Sequence, residues 1–297
     1  MNQHPKVSVC MITYGHEKYI RQAIEGVLMQ QFDFEVELIV ANDCSPDATD
    51  QVIKDIIKSH PRGYLIRYSE HDKNIGMMPN FIFALQECKG NYIALCDGDD
   101  YWTDPLKLQK QVEFLEANPD YALCFHQVNV LKPSGEIVDD FITKVPENYE
   151  TIETLARLGN YIHTPSVVFR NIIKEFPFEF QHSPIGDYFL YMMLAEYGKL
   201  KYLEEKMCVY RYGVGIYSSE SNINMIIMLN KQYACLLSYL KDDTIKKIIL
   251  DRNFLLINSL DTTFHSKYSS NDYIIKHKLL KNILKILSHK IRRRILK

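Results

Sequence analysis

Along the first 130 residues the chain switches repeatedly between two hydrophobic periods. "KVSVCMITY" is a continuous apolar run of strand length, and Ile20, Ala23, Ile24, Val27 and Leu28 then recur at the spacing of a helix with one buried face. "FEVELIVAND" reads as a second strand. Behind it Val52, Ile53, Ile56 and Ile57 line a helix that Asp47 or Thr49 can cap. A third strand, "YLIRYSE", leads through "HDKNIGMMPN" to a helix expected from about Asn80 to Cys88, with Gly90 expected as its left-handed cap. "NYIALC" is the fourth strand. Pro105 suits the first turn of "LKLQKQVEFLEAN", and "YALCFHQVNV" supplies a fifth strand before the turn "KPSGE".

Strands that are apolar throughout, alternating with helices, predict an α/β fold: a Rossmann-like, mainly parallel sheet with helices on both faces. Ligands of such sheets lie beyond the carboxyl ends of the strands. Thr13-Tyr14, Asn42-Asp43 and Asp97-Gly98-Asp99-Asp100 all fall there, so three polar clusters are expected to share one crevice. Residues 1–130 form the first half of this arrangement. Residues 131–218 break into shorter apolar pieces and read as a second half on the same sheet, and 219–297 read as a helical C-terminal extension.

Composition narrows the function. With 46% apolar and 24% charged residues and a net charge of −2, the chain has no bulk attraction for nucleic acid. The basic excess is local: residues 273–297 carry six lysines and three arginines without an acid. Leu280, Ile283, Leu284, Leu287, Ile291 and Ile295 give this tail an apolar stripe, which fits either a helix in an anionic membrane interface or one packed on the protein itself. The seven cysteines form no CxxC pair and suggest buried thiols in a reducing compartment. The start lacks a cleavable-signal pattern and no apolar run is long enough to span a bilayer, so a cytoplasmic protein is expected, with the membrane's inner face open to it through the tail.

The acidic loop "CDGDDYW" needs an explanation, because Asp97, Asp99 and Asp100 repel one another unless water or a cation intervenes. A calcium EF-hand fails, since Trp102 stands where its glycine belongs and Leu108 where its final glutamate belongs. A solvated turn remains open. So does a site for Mg2+ or Mn2+ with few protein ligands, completed by phosphate oxygens.

"VSVCMITYGHEKYIRQAIEGVLMQ", "ELIVANDCSPDATDQV", "NIGMMPNF" and "GNYIALCDGDDYWTDPLKLQKQ" resemble, in order and spacing, the blocks of family-two glycosyltransferases with the GT-A fold, bacterial surface-polysaccharide type. The resemblance extends from Val7 to Ser218. It implies an inverting, metal-dependent transferase of hexosyl type that moves a sugar from a nucleotide-sugar, UDP-linked, to a saccharide or lipid-linked acceptor. It implies that Thr13 and Tyr14 border the nucleotide base, that Asp43 hydrogen-bonds that base, and that Asp97 lies near ribose and metal. Asp99 would hold the divalent ion on the diphosphate, and Arg211 would balance diphosphate charge. Asp187, in "SPIGDYFLYMMLAEYG", matches the family's catalytic acid and would be the general base. As residue readings, Asp43 also suits a turn that caps the next helix, and Asp187 a helix cap. Arg211 also suits an exposed arginine before a turn, and His163 and His182 suit structural roles. Two other functions stay open: a sugar nucleotidyltransferase, although "TYGHEKY" lacks its glycine-rich basic loop, and a catalytically silent glycan-binding protein on the same fold.

Overall fold

The computed structural model describes residues 6–215 and 222–265, with side chains over 6–215 and 224–257. The basic tail at 273–297 lies outside the described residues. The chain divides into two compact units, one of Met1–Phe176 with Gly186–Ser219, the other of Pro177–Ile185 with Glu220–Lys297.

The first unit is organised by one nine-stranded sheet. Strands β1 (Val7–Thr13), β2 (Val36–Asn42), β3 (Ile66–Glu70) and β4 (Tyr92–Leu95) pair in parallel, in the spatial order β3-β2-β1-β4. Helices α1 (Ile20–Leu28), α2 (Thr49–Ser59) and α3 (Met77–Glu87) connect them. Val7, Val9 and Met11 of β1, Leu38 and Val40 of β2 and Ile20, Ala23, Ile24 and Val27 of α1 are buried in one core. Each such aliphatic side chain removed from water contributes about 1.5–3 kcal/mol, which is why the strands read as unbroken apolar runs.

Beyond β4 the sheet turns mixed. It runs on through β8 (Val168–Arg170), β6 (Tyr121–Leu131), β9 (Lys199–Arg211) and β5 (Tyr101–Trp102), with β7 (Ile137–Asp139) hairpinned onto β6. β8 is antiparallel to both β4 and β6, and β9 runs parallel to β6. Helices α4 (Lys107–Ala117), α5 (Ile152–Leu158) and α7 (Gly186–Leu194) complete the unit. The second unit is helical: α6 (Phe178–Gln181), α8 (Asn222–Tyr239) and α9 (Asp243–His265), with Tyr233, Leu236, Leu237, Leu240, Ile245 and Ile249 buried. Among the described residues no helix is long and apolar enough to cross a membrane.

Two local expectations are corrected. Gly90 is not a left-handed cap: α3 ends at Cys88 in extended backbone, and Gly90 has no positive φ. Its glycine is needed for close approach instead, because a Cβ there would stand 2.5 Å from the Ser8 nitrogen. Helix α3 also begins three residues earlier than its pattern suggested, at Met77, because Gly76 with φ +94° supplies the turn that starts it.

Candidate active site

The three polar clusters do meet. In the parallel register Thr13 lies opposite Asn42, the Asp43 amide donates to the Thr13 carbonyl at 3.0 Å, and the Gly98 amide donates to the Ile12 carbonyl at 2.9 Å. The carboxyl ends of β2, β1 and β4 therefore stand side by side. Contact between the outer two loops and the middle one is tight, since a Cβ on Gly98 would lie 2.7 Å from Thr13 Oγ1 and 2.9 Å from His16 Nδ1. Only glycine fits there.

On the β1–β2 side the polar groups are tied to backbone. Thr13 is buried and its hydroxyl meets His16 Nδ1 at 3.1 Å, while Tyr14 is 48% exposed at the rim. Both Asp43 oxygens accept amides, from Ile75 at 2.7 Å and Gly76 at 2.9 Å, so this buried carboxylate fastens the loop that leads into α3. Asn42 is fully buried, donates to the Tyr68 hydroxyl at 2.9 Å and accepts from the Ser45 amide at 3.1 Å. Asp47 accepts from the Thr49 amide and from the Glu17 amide, and the Thr49 hydroxyl accepts from the His16 amide. The residues expected to cap α2 thus stitch two loops together, and the α2 N-cap, Ala48, has no side-chain bond.

The β4 side is different. Asp99 is buried, and Asp97 lies close enough to Asp99 and Asp187 to feel both charges. Burial first, then those two charges, push the Asp97 carboxyl well above the usual carboxylate range. Asp187 sits in the first turn of α7. Its Oδ2 accepts from Asn160 Nδ2 at 3.0 Å and the Thr164 hydroxyl at 3.2 Å, and its Oδ1 accepts the Tyr188 amide at 2.6 Å. Burial raises its pKa and outweighs these three bonds and the nearby His163 ring, which act the other way. The buried Tyr191 hydroxyl is held protonated by burial and by the Asp187 and Asp97 charges, which outweigh the nearby Thr164 hydroxyl. None of Asp97, Asp99 and Asp187 forms an ion pair among the described residues.

Arg211, at the end of β9, is 6% exposed. Its guanidinium donates to the Asp99 carbonyl and to Gln22 Oε1, and its amide donates to Asp100 Oδ1 at 2.7 Å. The planar head is sandwiched between Tyr19 at 4.9 Å and Tyr101 at 4.7 Å. It holds the acidic loop from behind through backbone and stacking. Beyond it the chain passes over Asp99, with a Cβ at Gly215 reaching 3.4 Å from Asp99 Oδ2. His163 pairs with Asp140 at 2.9 Å, whereas His182 is exposed and stacks on Phe178 at 4.0 Å.

Asn160, Thr164, Tyr191, His16 and the Arg211 seat of Tyr19 and Gln22 were not singled out from the sequence. Tyr191 had a usable signal, lying four residues after Asp187 and so one turn along the same helix. Thr164 lies in "HTPSVVFR", which resembles a pocket-lining segment of the family, and His16, Tyr19 and Gln22 lie in its first block, but none of these was picked out singly.

A divalent ion fits this donor set. Among the described residues no group of three or more His, Cys, Asp or Glu side chains is placed to hold a metal ion by itself. Asp97 and Asp99, neighbouring carboxyl groups with no ion pair among the described residues, match a hard ion that keeps other positions for a ligand's oxygens.

Comparison with known proteins shows the family and the fold. The family model for Glycosyl transferase family 2 matches residues 8–176. The uncharacterized protein Rv1520 of Mycobacterium tuberculosis is 38% identical over 214 residues, which is 72% of this chain and 61% of that relative's length. Among solved structures, S. aureus TarS 1-349 in complex with UDP-GlcNAc has a TM-score of 0.64 at 18% identity, covering 90% of this chain and 77% of TarS 1-349. The mannosyltransferase PcManGT from Pyrobaculum calidifontis, in complex with GDP-Man and Mn2+, has a TM-score of 0.60 at 15% identity, covering 99% and 85%. These two structures share the fold of this chain, the GT-A arrangement.

Proposed function

This chain belongs to glycosyl transferase family 2, and on that premise we propose that it is an inverting, metal-dependent transferase moving a hexosyl group from a UDP-linked sugar to a saccharide or lipid-linked acceptor of a surface polysaccharide. The observation that carries the proposal is the convergence of three carboxyl groups, Asp97 lying within electrostatic reach of both Asp99 and Asp187, with no ion pair to any of them among the described residues. A solvated acidic turn would not bury Asp99 and Asp100, and a helix cap would not need Asp187 beside Asp97.

Each residue has a part in the proposal. Thr13, Tyr14 and the loop fastened by Asp43 form the base side of the donor site, with the remaining lone pairs of Asp43 available to the base. Asp97 and Asp99 would hold Mn2+ or Mg2+ on the diphosphate; when bound, such an ion acts as a Lewis acid on the leaving group. Arg211 fixes the acidic loop in place and adds positive charge behind it. Asp187 takes the proton of the attacking acceptor hydroxyl. Its two side-chain donors, Asn160 and Thr164, aim the carboxylate, and its raised pKa makes it a stronger base than a solvated aspartate. One base facing the sugar from the acceptor side gives single displacement and inversion. The likeness to TarS with UDP-GlcNAc supports a UDP-type donor, and that to PcManGT with Mn2+ supports the metal.

The test is Asp187→Asn. The variant should bind UDP as the unsubstituted chain does, by calorimetry with Mn2+ present, and lose about 10²–10⁴-fold in transfer to an acceptor. A folded Asp187→Asn chain that no longer binds UDP would remove Asp187 from the base role.

A further inference from the structure

Lys107 opens α4, where a cation is disfavoured twice over. Its side chain is fully buried, and the first turn of a helix is the positive end of the backbone dipole. Among the described residues it forms no ion pair. Burial draws its pKa down to about 8, with the Cys208, Cys96 and Cys124 thiols acting the other way, so it still carries its charge at neutral pH. An apolar side chain of the same length would fill the space without that cost. What sets Lys107 apart is the pair of groups it holds.

Its Nζ lies 4.1 Å from the centre of the Trp102 ring and donates to Gln111 Oε1 at 2.8 Å. An ammonium only donates, so the Gln111 amide is turned with its oxygen toward Lys107 and its nitrogen away. Nε2 then donates to the Ser166 carbonyl at 2.9 Å and the Cys124 carbonyl at 3.0 Å. Trp102 is buried, and its indole nitrogen donates to the Pro165 carbonyl at 2.9 Å. The two groups against the ammonium therefore grip two consecutive carbonyls of one short turn, Thr164–Ser166.

Both ends of this linkage reach the candidate active site. Trp102 closes the segment that begins with Asp97 and Asp99, and it is fixed in turn by pairing opposite Cys208 of β9 and by α1, where a Cβ on Gly26 would stand 2.9 Å from the Trp102 nitrogen. Thr164 opens the turn, and its hydroxyl donates to Asp187 at 3.2 Å. We propose that Lys107 is a positioning residue for the transfer reaction: through Trp102 and Gln111 it sets the Thr164–Ser166 turn against the acidic loop, and with it the placement of Asp187 relative to Asp97 and Asp99. The roles of those three carboxyl groups rest on the transferase reading above. A displacement of about 1 Å between reacting groups can cost about 10²-fold in rate, so a residue that touches no substrate can still govern kcat.

The experiment compares the full chain with Lys107→Met, which keeps the length of the side chain and removes the ammonium. Trp102 is the single tryptophan of the sequence, so its indole N–H can be followed alone by NMR. Lys107→Met should melt no lower than the unsubstituted chain, while its indole N–H exchanges with solvent about tenfold faster or more. UDP should bind within about threefold in the presence of Mn2+, and kcat should fall by about 10–10²-fold, read as UDP release from UDP-glucose, UDP-galactose and UDP-N-acetylglucosamine with methyl glycosides as acceptors. Trp102→Phe keeps a ring beside Nζ and removes the bond to Pro165. It should show the same division between UDP affinity and kcat, and it carries the reading if Lys107→Met does not fold. In the double variant the loss in kcat should be smaller than the product of the two single losses, because both act through one turn. Unchanged indole exchange, unchanged kcat, or losses that simply multiply would overturn the proposal. Transfer that is lost in Asp187→Asn and intact in Lys107→Met would sink this proposal alone. Full transfer by Asp187→Asn would sink the transferase reading, and the positioning role with it.

Discussion

Asp43 and Asp97 stand at the carboxyl ends of strands on either side of β1, and the protein surrounds them in opposite ways. Asp43 receives two backbone amides and, with Asn42, Ser45, Asp47 and Thr49, belongs to a network in which loop is bonded to loop. Asp97 sits among Asp99, Asp187 and the Tyr191 hydroxyl, and among the described residues no cation pairs with it. One side is finished by the chain itself. The other is left incomplete, at an electrostatic cost that folding alone does not repay. The contrast separates a scaffold, where polar groups satisfy each other, from a site whose satisfaction comes from a ligand.

The difference can be broken by substitution. The largest effect is expected at Asp99, where Asp99→Asn should lower transfer by about 10³-fold, because stabilisation of the leaving diphosphate is worth several kcal/mol. Initial rates of UDP release with acceptor present would measure it. Unchanged rates would put the acidic loop outside the chemistry.

Asp140 offers a partnered control. Burial tends to raise its pKa, but the His163 hydrogen bond and charge and the Thr143 hydroxyl prevail and lower it to about 2. Its folded value lies below its unfolded one, so its contribution is present above about pH 4 and is lost as the pH falls toward 2. Asp140→Asn should therefore cost about 2 kcal/mol at neutral pH, in urea unfolding, and progressively less in acid.

Asp97 should behave with the opposite sign. Its folded pKa is raised, so ionisation destabilises the metal-free protein as the pH rises through that value, and Asp97→Asn should stabilise by about 1 kcal/mol at pH 7 without added ion. Asp43→Asn should instead destabilise by about 1 kcal/mol through the loss of an amide acceptor. Thermal melts of the two variants in chelator would show whether the two shifts differ in sign. Shifts of the same sign would remove the distinction between scaffold and site.

Much of this was legible in the chain because strand burial is written residue by residue. Val7, Val9 and Met11 had to be covered, and that placed β1 between β2 and β4, with Thr13 at its end and Asp43 and Asp97 just beyond theirs. The acidic loop and Asp187 were visible as carboxylates at element boundaries. What the sequence hid was the company each residue keeps. Arg211 reads as a free cation before a glycine-containing segment, yet it is consumed by the Asp99 carbonyl, Gln22 and two tyrosine faces, contacts that join residues about 190 positions apart. Gly90 was misread because a glycine after a helix usually marks its cap, whereas here the crowding comes from β1 and β4.

The central claim is that Asp97 and Asp99 are completed by a divalent ion together with a nucleoside diphosphate. Isothermal titration of UDP into the chain, with Mn2+ and again with chelator, tests it most directly. The account predicts binding that weakens by about tenfold or more without the ion and shows the same loss in Asp99→Asn with the ion present. Equal UDP affinity under all three conditions would contradict it.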